Sequence, residues 1–121
     1  MVYLALSVMD LNKSVEFYTK YLRIFDAMGN ERLVCNSGVD LIIDLYRAGT
    51  EIHEHIFGTQ NYVPGRFSIH HGEHIKLKVI EHLKIHGIEY EYTANIAGVF
   101  LELNDPSGNS IGIWGHHGYI I

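Results

Sequence analysis

From Val2 to Val8 the chain is rich in β-formers and its polar and apolar positions alternate, the period of a half-buried strand. Asp10 follows, and Leu11, Val15, Tyr18 and Leu22 then recur every three or four residues, which predicts an N-capped amphipathic helix. Tyr18 falls on the core stripe of that helix, whereas Phe17 and Tyr21 form a second stripe at i, i+4. Three short apolar runs come next, Ile24–Met28, Arg32–Cys35 and Asp40–Tyr46, separated by Gly29-Asn30 and Asn36-Ser37-Gly38, the residues of hairpin turns. The first module, residues 1–46, therefore reads as βαβββ.

Residues 47–65 have weak periodicity and include Gly49, Gly58, Pro64 and Gly65, so they read as a linker, irregular and packed on the domain. The same order then returns over residues 66–121. Arg66–His70 predicts a strand, and Glu73–His86 a helix with Ile75, Val79 and Leu83 on one face and Gly87 as its C-cap. Ile88–Tyr92, Ile96–Leu103 and Asn109–Trp114 predict three more strands. Pairs 61 positions apart match through strand and helix alike: Leu6 with Phe67, Val8 with Ile69, Tyr18 with Val79, Leu22 with Leu83. One gapless offset across two element types points to an internal duplication.

At 121 residues the chain has the size of one domain, residues 1–121. No apolar run approaches the roughly 20 residues that span a bilayer, and the N-terminal apolar stretch lacks a basic flank and a cleavage site. A cytoplasmic protein is expected, without a membrane partner. The lone Cys35 cannot form an internal disulfide and reads as a small buried hydrophobe. A formal charge of −5, with no basic cluster, repels phosphate backbones and excludes nucleic acid as a natural partner. It also attracts cations weakly, although mild acidity serves solubility equally well.

Val8 and Asp10, then Ser14, Phe17, Tyr18 and Leu22, and finally Asp105, Pro106, Gly108 and Asn109 stand in the order and on the elements where the vicinal oxygen chelate superfamily carries its recognisable motifs. The chain resembles that superfamily, which includes glyoxalases, bleomycin resistance proteins and extradiol dioxygenases, along essentially its whole length. The resemblance implies an α+β fold in which two tandem βαβββ modules form curved mixed sheets around a cavity, usually in a homodimer. An exposed strand edge and the apolar tail Tyr119-Ile120-Ile121 agree with dimerisation. Each motif residue also has a purely structural reading. Asp10 can cap a helix, and Pro106 and Gly108 suit a turn. The motifs thus speak for a fold and not for a reaction.

The resemblance further implies a metal site whose ligands lie on the first and last strands of each module. Those positions fall here on Tyr3, Asp44 in Ile43-Asp44-Leu45, Pro64, and Gly112 in Ile111-Gly112-Ile113. Only one is a carboxylate, too few for a divalent ion. The expectation is no metal cofactor, the weaker alternative being Zn, Mn, Ni or Fe held by Asp44 with His53 and His55, which share a side if extended. The other histidines are the pairs His70-His71 and His116-His117 and the helical i, i+4 pair His82 and His86, none with an evident further ligand.

What remains is a cavity lined by alternate residues of the sheets. Tyr3, Asp44, Tyr46, Phe100, Glu102 and Trp114 are its candidate ligand-binding residues, with Tyr90 and Tyr92 as further aromatics, each of which also suits an ordinary core role. The expected function is metal-free binding of a planar or cationic small molecule, such as sequestration of an antibiotic or toxin. The alternatives are a divalent-metal lyase, isomerase or dioxygenase, and a metal-free isomerase or lyase with Asp44 or a histidine as base.

Overall fold

The computed structural model describes residues 1–70 and 79–116. Glu73, Ile75, His71, His117 and the tail Tyr119–Ile121 lie outside the described residues. The elements run β1 (Val2–Val8), α1 (Leu11–Glu16), β2 (Phe25–Met28), β3 (Arg32–Cys35), β4 (Leu41–Arg47), α2 (Glu51–Phe57), β5 (Arg66–His70), α3 (Val79–Ile85), β6 (Glu91–Asn95), β7 (Gly98–Asn104) and β8 (Ser110–Gly115). They form two four-stranded mixed sheets with the same topology, β1-β4-β3-β2 and β5-β8-β7-β6. In each, the first strand of the module pairs parallel with its last, and the other pairings are antiparallel. The α+β class and the doubled βαβββ order are as the periodicity predicts. Among the described residues no helix is long and apolar enough to cross a membrane.

One face of each sheet is closed and the other open. Leu6, Val8, Leu33, Ile43 and Leu45 of the first sheet join Ile69, Leu101, Leu103, Ile111 and Ile113 of the second in a single apolar core. Tyr18 bridges the two. Its buried ring meets Phe25 of β2 edge-on at 5.6 Å and Phe67 of β5 at 6.4 Å. Asp10 caps α1 by accepting from the Lys13 N–H, as expected.

Four elements depart from the sequence reading. Residues Phe17–Tyr21 form a π-helical turn continuing α1, and this wider turn rotates fewer degrees per residue. Phe17 and Tyr18 are therefore buried together, and no separate Phe17–Tyr21 stripe exists. The linker contains α2, bracketed by Thr50, which caps the His53 N–H, and by Gly58 in the left-handed conformation. Its buried face carries a histidine while Ile52 and Ile56 face outward, which is why an apolar period search passes over it. The β6–β7 hairpin lies one to three residues later than predicted. Asn95 accepts from the Ala97 N–H to make the turn, and Gly98, at φ 145°, lies where a Cβ would stand 2.5 Å from the Gly115 carbonyl.

The motif Asp105-Pro106-Ser107-Gly108-Asn109 joins the halves. The buried Asp105 carboxylate accepts from the Tyr18 hydroxyl (2.8 Å), the Ser107 and Asn109 N–H groups and the Asn109 amide. Asn109, also fully buried, donates to the Ser7 carbonyl and accepts from the Tyr62 hydroxyl and the Gly65 N–H. Every polar atom of that amide is engaged, so its loss strands partners from three segments. Asn109→Ala is expected to lower the unfolding free energy by about 3 kcal/mol, read as a drop in urea midpoint at constant m value; a change within about 0.5 kcal/mol contradicts this assignment.

Burial, and then the neighbouring Asp105 carboxylate and its hydrogen bond, push the Tyr18 phenol well above the ordinary tyrosine value. The folded state thus holds a proton that the unfolded chain releases near pH 10. This contribution is complete below about pH 10 and disappears as pH rises through the folded value. Tyr18→Phe should flatten the alkaline limb of the stability curve, measured by urea melts between about pH 8 and 11; an unchanged slope overturns the assignment.

Candidate functional site

Strand pairing sorts the candidates onto the two open faces. In the first sheet Tyr3, Asp44 and Tyr46 share the open face with Ser7, Ile42 and Arg32. Arg32, which the sequence did not single out, pairs directly with Asp44 across β3 and β4. Its Nε donates to Oδ1 at 2.6 Å and a terminal nitrogen to Oδ2 at 3.3 Å, and the guanidinium lies 5.7 Å from the centre of the Tyr3 ring. The carboxylate raises the Arg32 pKa, first through the hydrogen bond and then through charge. Asp44 is therefore a neutralised partner, and the signal for it was the cross-strand register, which a single sequence does not print.

In the second sheet the open face carries two legible rows. One runs Ser68, Gly112, Glu102, Glu91, and the next His70, Trp114, Phe100, Thr93. Phe100 and Trp114 stack with ring centres 4.5 Å apart at 35°, and His70 stands 6.1 Å from Trp114. Glu91 lies directly opposite Glu102, a like-charge pair that is unfavourable without a cation. Neither forms an ion pair with a described residue. Tyr92 is on the opposite face from Glu102, and Tyr90 packs against the core.

The candidates do not share one hollow. Asp44, Tyr46 and Arg32 line a cleft of about 450 Å³ with Met28, whereas Glu102 lines another of about 670 Å³ with Glu89, Tyr90 and Glu91. Tyr46 also borders a third cleft beside Arg47 and Ile52.

The linker histidines have separate roles. In a helix, residues two apart face nearly opposite directions, so His53 and His55 cannot chelate together. His55 is exposed, and His53 is buried. His53 Nδ1 lies 2.7 Å from the Thr59 carbonyl, which can only accept, so the proton sits on Nδ1. In the neutral ring Nε2 then accepts from the Ser7 hydroxyl at 2.7 Å, while Ser7 Oγ accepts from the Val63 N–H. Phe57, one turn on, meets Tyr46 edge-on at 6.1 Å. This Ser–His pair clasps the linker to the first sheet, closed off from solvent. His86 stacks on Tyr21 at 4.3 Å, which joins the helices of the two modules.

A divalent metal does not fit the family-like positions of this chain. Asp44 is held by Arg32, Tyr3 and Pro64 offer no carboxylate or imidazole, and the Phe100 ring covers Gly112. By strand pairing, Ser7 stands beside Tyr46 and its counterpart Ser68 beside Gly112, so Gly112 corresponds to Tyr46 and Ser110 to Asp44. That shifts the motif-based alignment by two residues and still supplies no second carboxylate. Among the described residues no three His, Cys, Asp or Glu side chains converge as a metal site requires.

No family model matches the chain, and no curated protein matches it. Solved structures do. A glyoxalase/bleomycin resistance protein from a Streptomyces species superposes with TM-score 0.70 at 19% identity, covering 93% of this chain and 96% of that one. A lactoylglutathione lyase from Agrobacterium tumefaciens gives 0.63 at 14%, over 95% and 92%. A glyoxalase/bleomycin resistance protein/dioxygenase from Nocardioides gives 0.60 at 19%, over 97% and 83%. At such identities the likeness is one of fold, and the chain has the fold of these proteins.

The two linker histidines make opposite predictions. His53→Ala leaves a cavity and strands the Ser7 hydroxyl, and should cost about 3 kcal/mol; His55→Ala should stay within about 0.5 kcal/mol. Equal urea midpoints for the two variants contradict the clasp.

Proposed function

We propose that this chain, built on the fold of the glyoxalase and bleomycin resistance proteins, is a metal-free binding protein that holds a planar or cationic small molecule over the open face of its second sheet. The observation that carries the reading is the row His70, Trp114, Phe100 lying beside Glu102 and Glu91. Stacked rings offer flat apolar area with little side-chain entropy to lose, and the adjacent carboxylates favour positive charge on whatever rests there. The formal charge of −5 works in the same direction at longer range. Sequestration needs no reacting group, and the side chains most apt for chemistry, Asp44 and His53, are engaged in structural bonds.

A second copy of the chain completes the cleft in this proposal. The clefts beside Asp44 and beside Glu102 are separate, and Val2, Tyr3 and Met28 of the first sheet expose large apolar surface. Light scattering on an eluting peak should give twice the chain mass; a monomer at all concentrations removes this element.

Trp114 is the single tryptophan, so its emission reports on the site alone. Titration of tag-free protein with the planar cationic dye proflavine should quench it saturably, and the flexible polyamine spermidine should bind more weakly. Absence of quenching overturns the reading. So does a stoichiometric Zn, Mn, Ni or Fe ion that survives dialysis, an outcome that favours a metal enzyme instead.

A further inference from the structure

Gly112 lies at the centre of the second sheet's open face, between Ser68 and Glu102, and is buried. Its φ is not positive, so the backbone there would accept any residue. Space is the only reason for glycine. A Cβ at this position would stand 2.8 Å from Phe100 Cε2, 3.0 Å from Phe100 Cζ and 2.9 Å from Ser68 Oγ. Ser68 is exposed and its hydroxyl can rotate away. The Phe100 ring has no such freedom, because it is pinned between Gly112 and the stacked Trp114 at 4.5 Å.

From this geometry we infer that Gly112 is a specificity-determining residue, which lets Phe100 lean against β8 and stack on Trp114, so that the indole is held as the platform that receives a planar conjugated ring. The inference rests on the binding function proposed above and narrows its ligand class. Any side chain at position 112 lifts the ring and breaks the platform, even one as small as methyl. The position thus contributes by having no atoms of its own. Gly112 acts through Phe100 and is a positioning residue that touches no ligand. Ligands without an extended flat face gain nothing from this arrangement, so the site discriminates by shape before charge.

The test is a double-mutant cycle with Gly112→Ala, Phe100→Leu and both together, with circular dichroism as the check of folding. In the free protein, Gly112→Ala should alter the Trp114 emission spectrum in the way Phe100→Leu does; an emission identical to that of the unchanged protein overturns the positioning role whatever binds. With proflavine, Gly112→Ala should weaken binding by about fivefold to tenfold, the worth of one aromatic contact, and should weaken it no further when Phe100 is already leucine. Full additivity of the two losses, or equal affinity of Gly112→Ala and the unchanged protein, overturns the inference and leaves the binding function standing. Failure of the unchanged protein to bind strikes the binding function instead, and the emission comparison still decides the positioning role. If Gly112→Ala does not fold, recovery of folding on adding Phe100→Leu supports the clash, and failure to recover overturns it.

Discussion

A buried side-chain amide is tolerable only when all its donors and acceptors are met, and Asn109 meets that demand by reaching into three separate stretches of chain. Its oxygen faces two donors, the Tyr62 hydroxyl and the Gly65 N–H, and its nitrogen faces two acceptors, the Ser7 carbonyl and the Asp105 carboxylate. The orientation of the amide is thus dictated by chemistry. So is the placing of the second module's last hairpin against β1. Asp105 extends the same bond system to Tyr18, whose ring already packs on both sheets. Apolar burial supplies cohesion between the modules, but it is non-directional, and these bonds set how they meet.

The parts of the fold legible in sequence are those that repeat. Leu6, Val8, Tyr18 and Leu22 and their partners 61 positions on face the core as the shared period requires. Pairing register is another matter. That Arg32 lies opposite Asp44, or Glu91 opposite Glu102, depends on turn geometry at Asn36-Ser37-Gly38 and Asn95–Gly98, and a displacement of two residues changes every partner. The linker helix was hidden because its buried contact is a histidine that bonds with the hydroxyl of Ser7 and the carbonyl of Thr59, a polar solution that an apolar periodicity cannot reveal. The Phe17–Tyr21 turn was hidden for a geometric reason, since a helix period of 3.6 is assumed when sequence is read for stripes.

The open faces differ in kind. On the first, Tyr3, Arg32 and Asp44 satisfy one another, so charge there is internally balanced. On the second, rings stack on rings while two carboxylates confront each other across β6 and β7. A duplicated topology has been given two unlike surfaces by a handful of side chains, among them a residue that has none. Tyr3, Asp44, Tyr46, Phe100, Glu102 and Trp114 lie on these faces while Tyr90 and Tyr92 do not, and the meaning of the six came from neighbours that alternation does not identify.

The clasp made by His53 has a hereditary side. The linker hangs from Ser7 and Tyr46 at its helix, and its tail is gripped by Asn109 through Tyr62 and Gly65. A recombination event that joined this first half to a foreign second half anywhere between 47 and 65 would splice two ends of a lock cut for different keys. Although the architecture is doubled, the halves are no longer interchangeable parts. Ser7, His53, Tyr62 and Asn109 must drift in concert or hold still together.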